Sequence, residues 1–157
     1  MPIHHDRLST ARPFQPDATY INRYIDEVNA PLFPFGYGLS YTTFTIEEPA
    51  VLSEHSSSAA PAVVAVRVEN TGSCAGAVAV QVYARLRHSR LIRPDKRLVA
   101  WKKCRLEPGE SKTVSFSITP DQLRMYDAAG RAVEPEGICD LAIGDSSDAP
   151  FNAQIIF

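Results

Sequence analysis

From Thr43 to the last residue, apolar and polar positions alternate in short runs broken by turn-forming residues. This rhythm predicts strands rather than helices. Thr43–Leu52 reads as a first strand, weakened by Pro49. Ser53–Pro61, with Ser56, Ser57 and Ser58, reads as a flexible connection. Ala62–Glu69 follows, with Val64, Val66 and Val68 on one face and Arg67 and Glu69 on the other. Asn70, Thr71 and Gly72 predict a turn that tolerates positive φ. Gly76–Arg87 is the next strand. Val78, Val80, Val82 and Leu86 are expected inward, and Gln81, Tyr83, Arg85 and Arg87 outward.

His88–Lys96 reads as a loop around Arg93 and Pro94. Leu98–Leu106 is a strand whose alternation slips near Trp101, which predicts a bulge there. Glu107-Pro108-Gly109-Glu110 is a turn, and Lys112–Ile118 points Val114, Phe116 and Ile118 inward. Thr119 and Pro120 open a helical turn as cap and first residue, from which Leu123 and Tyr126 are expected to cover the sandwich edge. Asp127–Gly130 is a turn. Gly137–Gly144 and Phe151–Phe157 form a final hairpin, with Cys139, Leu141, Ile143, Phe151, Ala153, Ile155 and Phe157 inward. About seven short strands at this spacing predict an all-β fold, an immunoglobulin-like or fibronectin type III-like β-sandwich.

The first 40 residues differ. Residues 1–30 carry Pro2, Pro13 and Pro16 and hold no period, apart from one expected helical turn near Tyr20–Val28. The stretch PLFPFGYGLSYTTF, Pro31–Phe44, concentrates Phe33, Phe35, Tyr37 and Tyr41 among prolines and glycines. Such a run cannot be a helix or a long strand. The chain therefore divides into an extended arm, 1–40, and a β-domain, 41–157. Leu32–Tyr41 is expected to bury its rings on the sandwich, and residues 1–20 to order only against a partner.

Composition narrows the function without supplying one. A net charge of −2 argues against a general nucleic-acid binder. No apolar run approaches the ~20 residues of a membrane helix, and MPIHHDRLSTARP lacks the apolar core of a signal peptide. Cys74, Cys104 and Cys139 have no metal-like spacing, and their odd number argues against a disulfide framework. His4, His5, His55 and His88 have no spaced partners for a metal site, and no cofactor is expected. Asp26 with Glu27, Glu47 with Glu48, and Glu134 with Glu136 are the close acidic groupings. Adjacent strand residues face opposite ways, so none predicts a catalytic carboxylate pair. Of 16 Lys and Arg residues, nine fall between Arg85 and Arg105, opposed by Asp95. They read as a solvated face or as a surface for an acidic domain or anionic saccharide.

Several motifs carry a resemblance. PLFPFGYGLSYTTF closely resembles the segment that opens the C-terminal fibronectin type III-like domain of glycoside hydrolase family 3 enzymes, the β-glucosidases and β-xylosidases. Val68, Asn70, Thr71, Gly72, Gly76, Val80, Gln81 and Tyr83 are similar to that family's pattern VxNTGxxxGxxxVQxY. Leu98, Trp101, Lys103, Leu106, Pro108, Gly109, Glu110, Val114, Phe116 and Ile118 follow its pattern LxGFxKxxLxPGExxxVxFxI, with Ala100-Trp101 in place of Gly-Phe, a change expected to enlarge a core residue. The arm resembles the family linker, with His4, His5 and Ala11 departing from its usual residues.

The resemblance implies a non-catalytic structural module without the catalytic aspartate and acid/base residue, both of which lie upstream in such enzymes. The implied partner is those upstream catalytic domains, in cis or in trans, in an enzyme that is periplasmic or secreted. Arg12, Arg23, Tyr24, Phe33, Phe35 and Tyr37 are the candidate domain-docking residues. The competing expectation is an autonomous carbohydrate-binding or adhesion module that uses Tyr83 or Tyr37 as exposed sugar platforms.

Overall fold

The computed structural model describes residues 31–157. Arg12, Arg23, Tyr24, His4, His5 and the helical turn expected near Tyr20–Val28 lie outside the described residues. The strands are β1 (Phe44–Ile46), β2 (Ala50–Ser53), β3 (Ala62–Asn70), β4 (Gly76–Leu86) and β5 (Arg97–Leu106). After them come β6 (Ser111–Ile118), β7 (Met125–Tyr126), β8 (Ala132–Val133), β9 (Ile138–Gly144) and β10 (Phe151–Ile156). One sheet has β3 at its centre, with β6 on one edge and β1 and β2 sharing the other. The second has the order β10-β9-β4-β5. β7 and β8 form a separate small hairpin.

Counting β1 and β2 as one interrupted strand, seven strands build the two layers, as the alternation predicts. The interruption corrects the single strand expected over Thr43–Leu52. Pro49 has no N–H for a ladder, and pairing with β3 breaks off after Glu47 and resumes at Ala50. The small β7–β8 hairpin has no counterpart in the alternation, because its strands are too short to show a period.

The core lies between the sheets. Val64, Val66 and Val68 of β3 and Val114, Phe116 and Ile118 of β6 meet Val80 and Val82 of β4, Leu106 of β5, Leu141 and Ile143 of β9, and Ile155 of β10. Each side chain of this size is worth about 1.5–3 kcal/mol when buried, which makes the core the main stabilising term. Cys139 is buried beside Leu141, as predicted, and Cys74 is exposed.

Two bulges re-aim side chains. Between β4 and β5, Val82 pairs with Ala100 but Tyr83 with Leu98, so Val99 is the extra residue, close to the slip expected near Trp101. Between β9 and β10, Phe151 pairs with Ala142 and Ala153 with Leu141, leaving Asn152 as the extra residue. Its side-chain amide bonds both the N–H and the C=O of Ile143 at 3.0 Å, standing in for the lost ladder bonds. Phe151 is therefore turned to the outer face, where the Arg85 guanidinium lies 4.0 Å from its ring centre. The expected inward Phe151 is corrected by that one-residue offset.

Asn70 is the second correction. It is no open turn residue but the fully buried end of β3. Its Oδ1 accepts from the Thr42 hydroxyl at 2.7 Å and from the Gly72 N–H at 3.1 Å. Its Nδ2 donates to the carbonyls of Cys74 at 2.8 Å and Leu106 at 3.0 Å. All four bonding positions of the amide are filled, which makes its burial tolerable. Nor is Ser53–Pro61 a free connection. Glu54 and Ser56 bond the backbone of Ile156, and the buried Ser56 hydroxyl donates to Ile118 O at 2.7 Å, tying the two sheets together.

Candidate functional site

The arm enters the domain across the outer face of β4. Along this strand Gln81 and Tyr83 alternate with the core valines, so they point away from the core. They are nevertheless buried. The segment Phe35–Gly36 and the loop after β9 cover them. Gln81 Nε2 donates to Gly36 O at 3.0 Å and to Asp145 O at 2.5 Å. The Tyr83 hydroxyl donates to Gln81 Oε1 at 2.5 Å and lies 3.4 Å from Phe35 O. The Ser147 N–H donates to the same Phe35 carbonyl at 2.8 Å. Burial, with the nearby negative charge of Asp145 adding to it, pushes the Tyr83 hydroxyl up to about 12, so it remains a donor through the physiological range.

Gly36 is required at this contact. Its φ is +81°, and a Cβ there would stand 2.0 Å from Gln81 Oε1. The arm is thus fastened through its main chain, and its large apolar side chains stay half to fully exposed. Phe33 is 61% exposed, Phe35 45% and Tyr37 48%, with Leu32, Leu39 and Tyr41 more open still. This corrects the expectation that Leu32–Tyr41 buries its rings on the sandwich. The backbone docks and the rings face outward, with Phe33 stacked on Tyr37 at 5.1 Å between ring centres. Beside them runs an open groove of about 800 Å³, lined by Tyr37, Leu39, Phe44, Lys103, Asp145 and Asn152 among others.

The basic run is largely consumed by the domain itself. The Lys96 ammonium donates to the carbonyls of Ser147 at 2.8 Å and Ala149 at 2.7 Å, bracing the loop that holds Phe35; burial lowers its pKa. Arg93 bonds Leu123 O. Arg85 and Arg87 converge on Asp140, with Nη2 atoms at 3.2 Å and 2.9 Å from its oxygens. The hydrogen bonds from Arg87 above all, with those from Arg85, hold the Asp140 carboxyl below the usual carboxylate range. These internal bonds weaken the reading of the run as an anion-binding surface.

Two aromatic expectations reverse. Tyr83 is buried and offers no sugar platform, whereas Trp101, expected in the core, is exposed at 63%. Tyr126, expected to cover the edge, is also mostly exposed; Leu123 is buried as expected. His55 joins a parallel bridge to Ile156 through its backbone, and His88 sits in the loop after β4. No group of three His, Cys, Asp or Glu side chains suited to a metal occurs among the described residues. The positioning residues Gln81, Tyr83, Ser147 and Lys96 had no visible signal beyond an unusual Gln-Val-Tyr on an outward row, because their partners are backbone atoms remote in sequence.

The family profile described as "Fibronectin type III-like domain" matches residues 78–147. The periplasmic beta-glucosidase of Salmonella typhimurium is 38% identical over 149 residues, covering 94% of this chain and 20% of its own length. A beta-xylosidase of Formosa agariphila is 39% identical over 119 residues, covering 76% of this chain and 16% of its own. A mutant beta-glucosidase from Listeria innocua, solved in complex with laminaribiose, superposes with a TM-score of 0.84 at 30% identity, over 97% of this chain and 21% of that one. The chain spans about a fifth of the length of these curated relatives, where the matching segment is part of a larger enzyme. By its sandwich, its latched aromatic arm and these matches, the chain belongs to the fibronectin type III-like domains of glycoside hydrolase family 3 enzymes.

Proposed function

We propose that this chain is a non-catalytic structural module that docks on and stabilises the catalytic part of a family 3 β-glycosidase, an enzyme that removes terminal β-linked sugars. The observation that carries this reading is the arm, whose backbone is bonded down at Phe35 and Gly36 while Phe33, Phe35 and Tyr37 face outward. Rings held rigidly on an outer surface lose little entropy on docking, and aromatic anchors dominate such interfaces. In this reading Phe33, Phe35 and Tyr37 contact the catalytic part, together with Arg12, Arg23 and Tyr24. The arm, residues 1–40, joins it to the β-domain, 41–157. Supporting a periplasmic or secreted setting is the periplasmic enzyme of Salmonella typhimurium.

The chemistry of the described residues agrees with a non-catalytic role. Asp140 is the buried carboxylate among them, and two arginines hold it ionised. A general acid for glycoside hydrolysis needs the opposite, a carboxyl kept protonated, with a second carboxylate across the bond. The purified chain is expected to leave aryl β-glucosides and β-xylosides intact. It is expected to bind and raise the thermal midpoint of the Salmonella typhimurium enzyme from which the matching segment has been deleted. Turnover by the pure chain that disappears when one of its own carboxylates is replaced would overturn this reading. So would glycan binding by the isolated chain with no affinity for the truncated enzyme, which would favour a carbohydrate-binding module.

A further inference from the structure

We propose that Lys102 and Gln122 are edge guards, which keep β6 from taking on a strand of a second copy of this chain. This role is independent of docking on a catalytic part.

The edge strands of a sheet have outward N–H and C=O groups without ladder partners, and such edges invite an added strand. Of the four edges among the described residues, three are blunted by a neighbour or by their own sequence. β10 is bonded at Ile156 to Glu54 and Ser56. β1 and β2 are short and are interrupted at Pro49. β5 carries Arg97, Lys102, Lys103 and Arg105. β6 has none of these devices. Its eight residues, SKTVSFSI, contain no proline and one charge, Lys112, and its ladder with β3 runs without a bulge. A strand of this composition is prone to pair with its own kind.

Its protection comes from other elements. Along an antiparallel pair, backbone groups alternate between facing the partner strand and facing away. The Asn70 N–H donates to Glu110 O, so the even-numbered carbonyls of β6 face β3 and the odd-numbered ones face the open edge. Two of the odd ones are taken. Lys102 pairs with the core residue Val80 and so stands on the inner row of β5, from which its stem reaches over the sandwich opening. Its ammonium donates to Ser115 O at 2.5 Å and lies 5.4 Å from the Phe116 ring centre. The Gln122 amide nitrogen donates to Val99 O of β5 at 3.1 Å and lies 3.5 Å from Ser117 O, while its oxygen accepts from the Thr119 N–H at 2.6 Å. An incoming strand has to displace both side chains, and it leaves an ammonium short of partners as it covers it.

The occupant that fits the unguarded edge is β6 itself. Antiparallel pairing centred on Ser115 sets Lys112 opposite Ile118 and Val114 opposite Phe116, so no like charges meet. One two-fold axis relates the two copies, and the contact closes on itself.

Sedimentation and amide exchange on the whole chain test this. The unmodified chain should be monomeric, and so should Lys102→Arg, which keeps a cationic donor. Lys102→Met keeps the stem and removes the ammonium. Combined with Gln122→Ala, it should tighten self-association at least about tenfold, because the monomer loses the bonds that compete with the added strand. On association the amides of Thr113, Ser115 and Ser117 should exchange more slowly, since they gain partners. If loss of Gln122 from its capping turn unfolds the chain, Lys102→Met alone carries the test, because Lys102 is exposed. A folded variant as monomeric as the unmodified chain overturns the guard role. Self-association of the unmodified chain through β6 overturns it equally. Association with slowed exchange at Tyr37–Tyr41 and unchanged exchange in β6 overturns the pairing, because the exposed arm is then the contact.

Discussion

The two faces of β4 present the same backbone to different surroundings. On the inner face Val80 and Val82 pack against β3, β6 and β9, and their neighbours are interchangeable apolar surface. On the outer face the residues divide along the strand. Gln81 and Tyr83 are buried under the arm through directed hydrogen bonds, while Arg85, one step further on, is half exposed and pairs with Asp140. The inner face stabilises by area, without direction. The outer face stabilises little, but it fixes where a particular backbone segment lies, because a hydrogen bond constrains position in a way that an apolar contact does not. The domain thus uses one side of one strand for stability and the other to set the arm in place.

That contrast can be broken by substitution. The largest effect is expected on the inner side: Leu141→Ala should destabilise the isolated chain by about 3 kcal/mol, the usual cost of an emptied core site, as measured by chemical denaturation. A loss below about 1 kcal/mol would mean that the layers repack freely. On the outer side, Tyr83→Phe removes one hydroxyl that serves Gln81 and Phe35. It should cost about 1 kcal/mol and speed amide exchange at Ser147, whose N–H bonds Phe35 O, while exchange in β3 is unchanged. Uniform acceleration would show that the arm and the core unfold as a single unit.

Asp140 tests the far end of the same face, where it is buried under two half-exposed arginines. Its carboxyl is depressed in the folded state, so the ion pair stabilises above the unfolded value of about 3.9, and that contribution is lost as pH falls through the folded pKa. With both arginines half exposed, Asp140→Asn should cost only about 1 kcal/mol at neutral pH and flatten the acid limb of the stability profile. An unchanged acid limb would assign the acid sensitivity elsewhere. The smallest effect is chemical. Burial pushes the Cys139 thiol up to about 12, so a thiol reagent at mildly alkaline pH should modify Cys74 promptly and Cys139 only on unfolding. Equal rates in the folded chain would show that β9 is displaced by one residue.

These residues also mark what could be read from sequence. The inward rows of β3, β6 and β9 follow from period-two alternation, and every predicted core residue there is buried. The Glu107–Glu110 turn is present, closed by the Glu110 N–H to Glu107 O bond at 3.0 Å. Alternation misleads where a second layer or a bulge intervenes. It puts Phe151 inward because it cannot count the extra Asn152. Likewise it points Tyr83 to solvent because nothing local to β4 announces the arm, 48 residues earlier, that covers it.

The β-class, the strand sequence and the inner core are legible in the chain, because they depend on local periodicity and turn chemistry, which each short segment carries in full. The family is legible there too, through motifs at Pro31–Phe44 and Val68–Tyr83. Which outward residues are covered, which carbonyls their polar groups reach, and how the aromatic arm is bound by its backbone emerge only from long-range packing. Those outcomes depend on contacts between segments far apart in the chain, and on one-residue bulges that reverse which face a side chain takes.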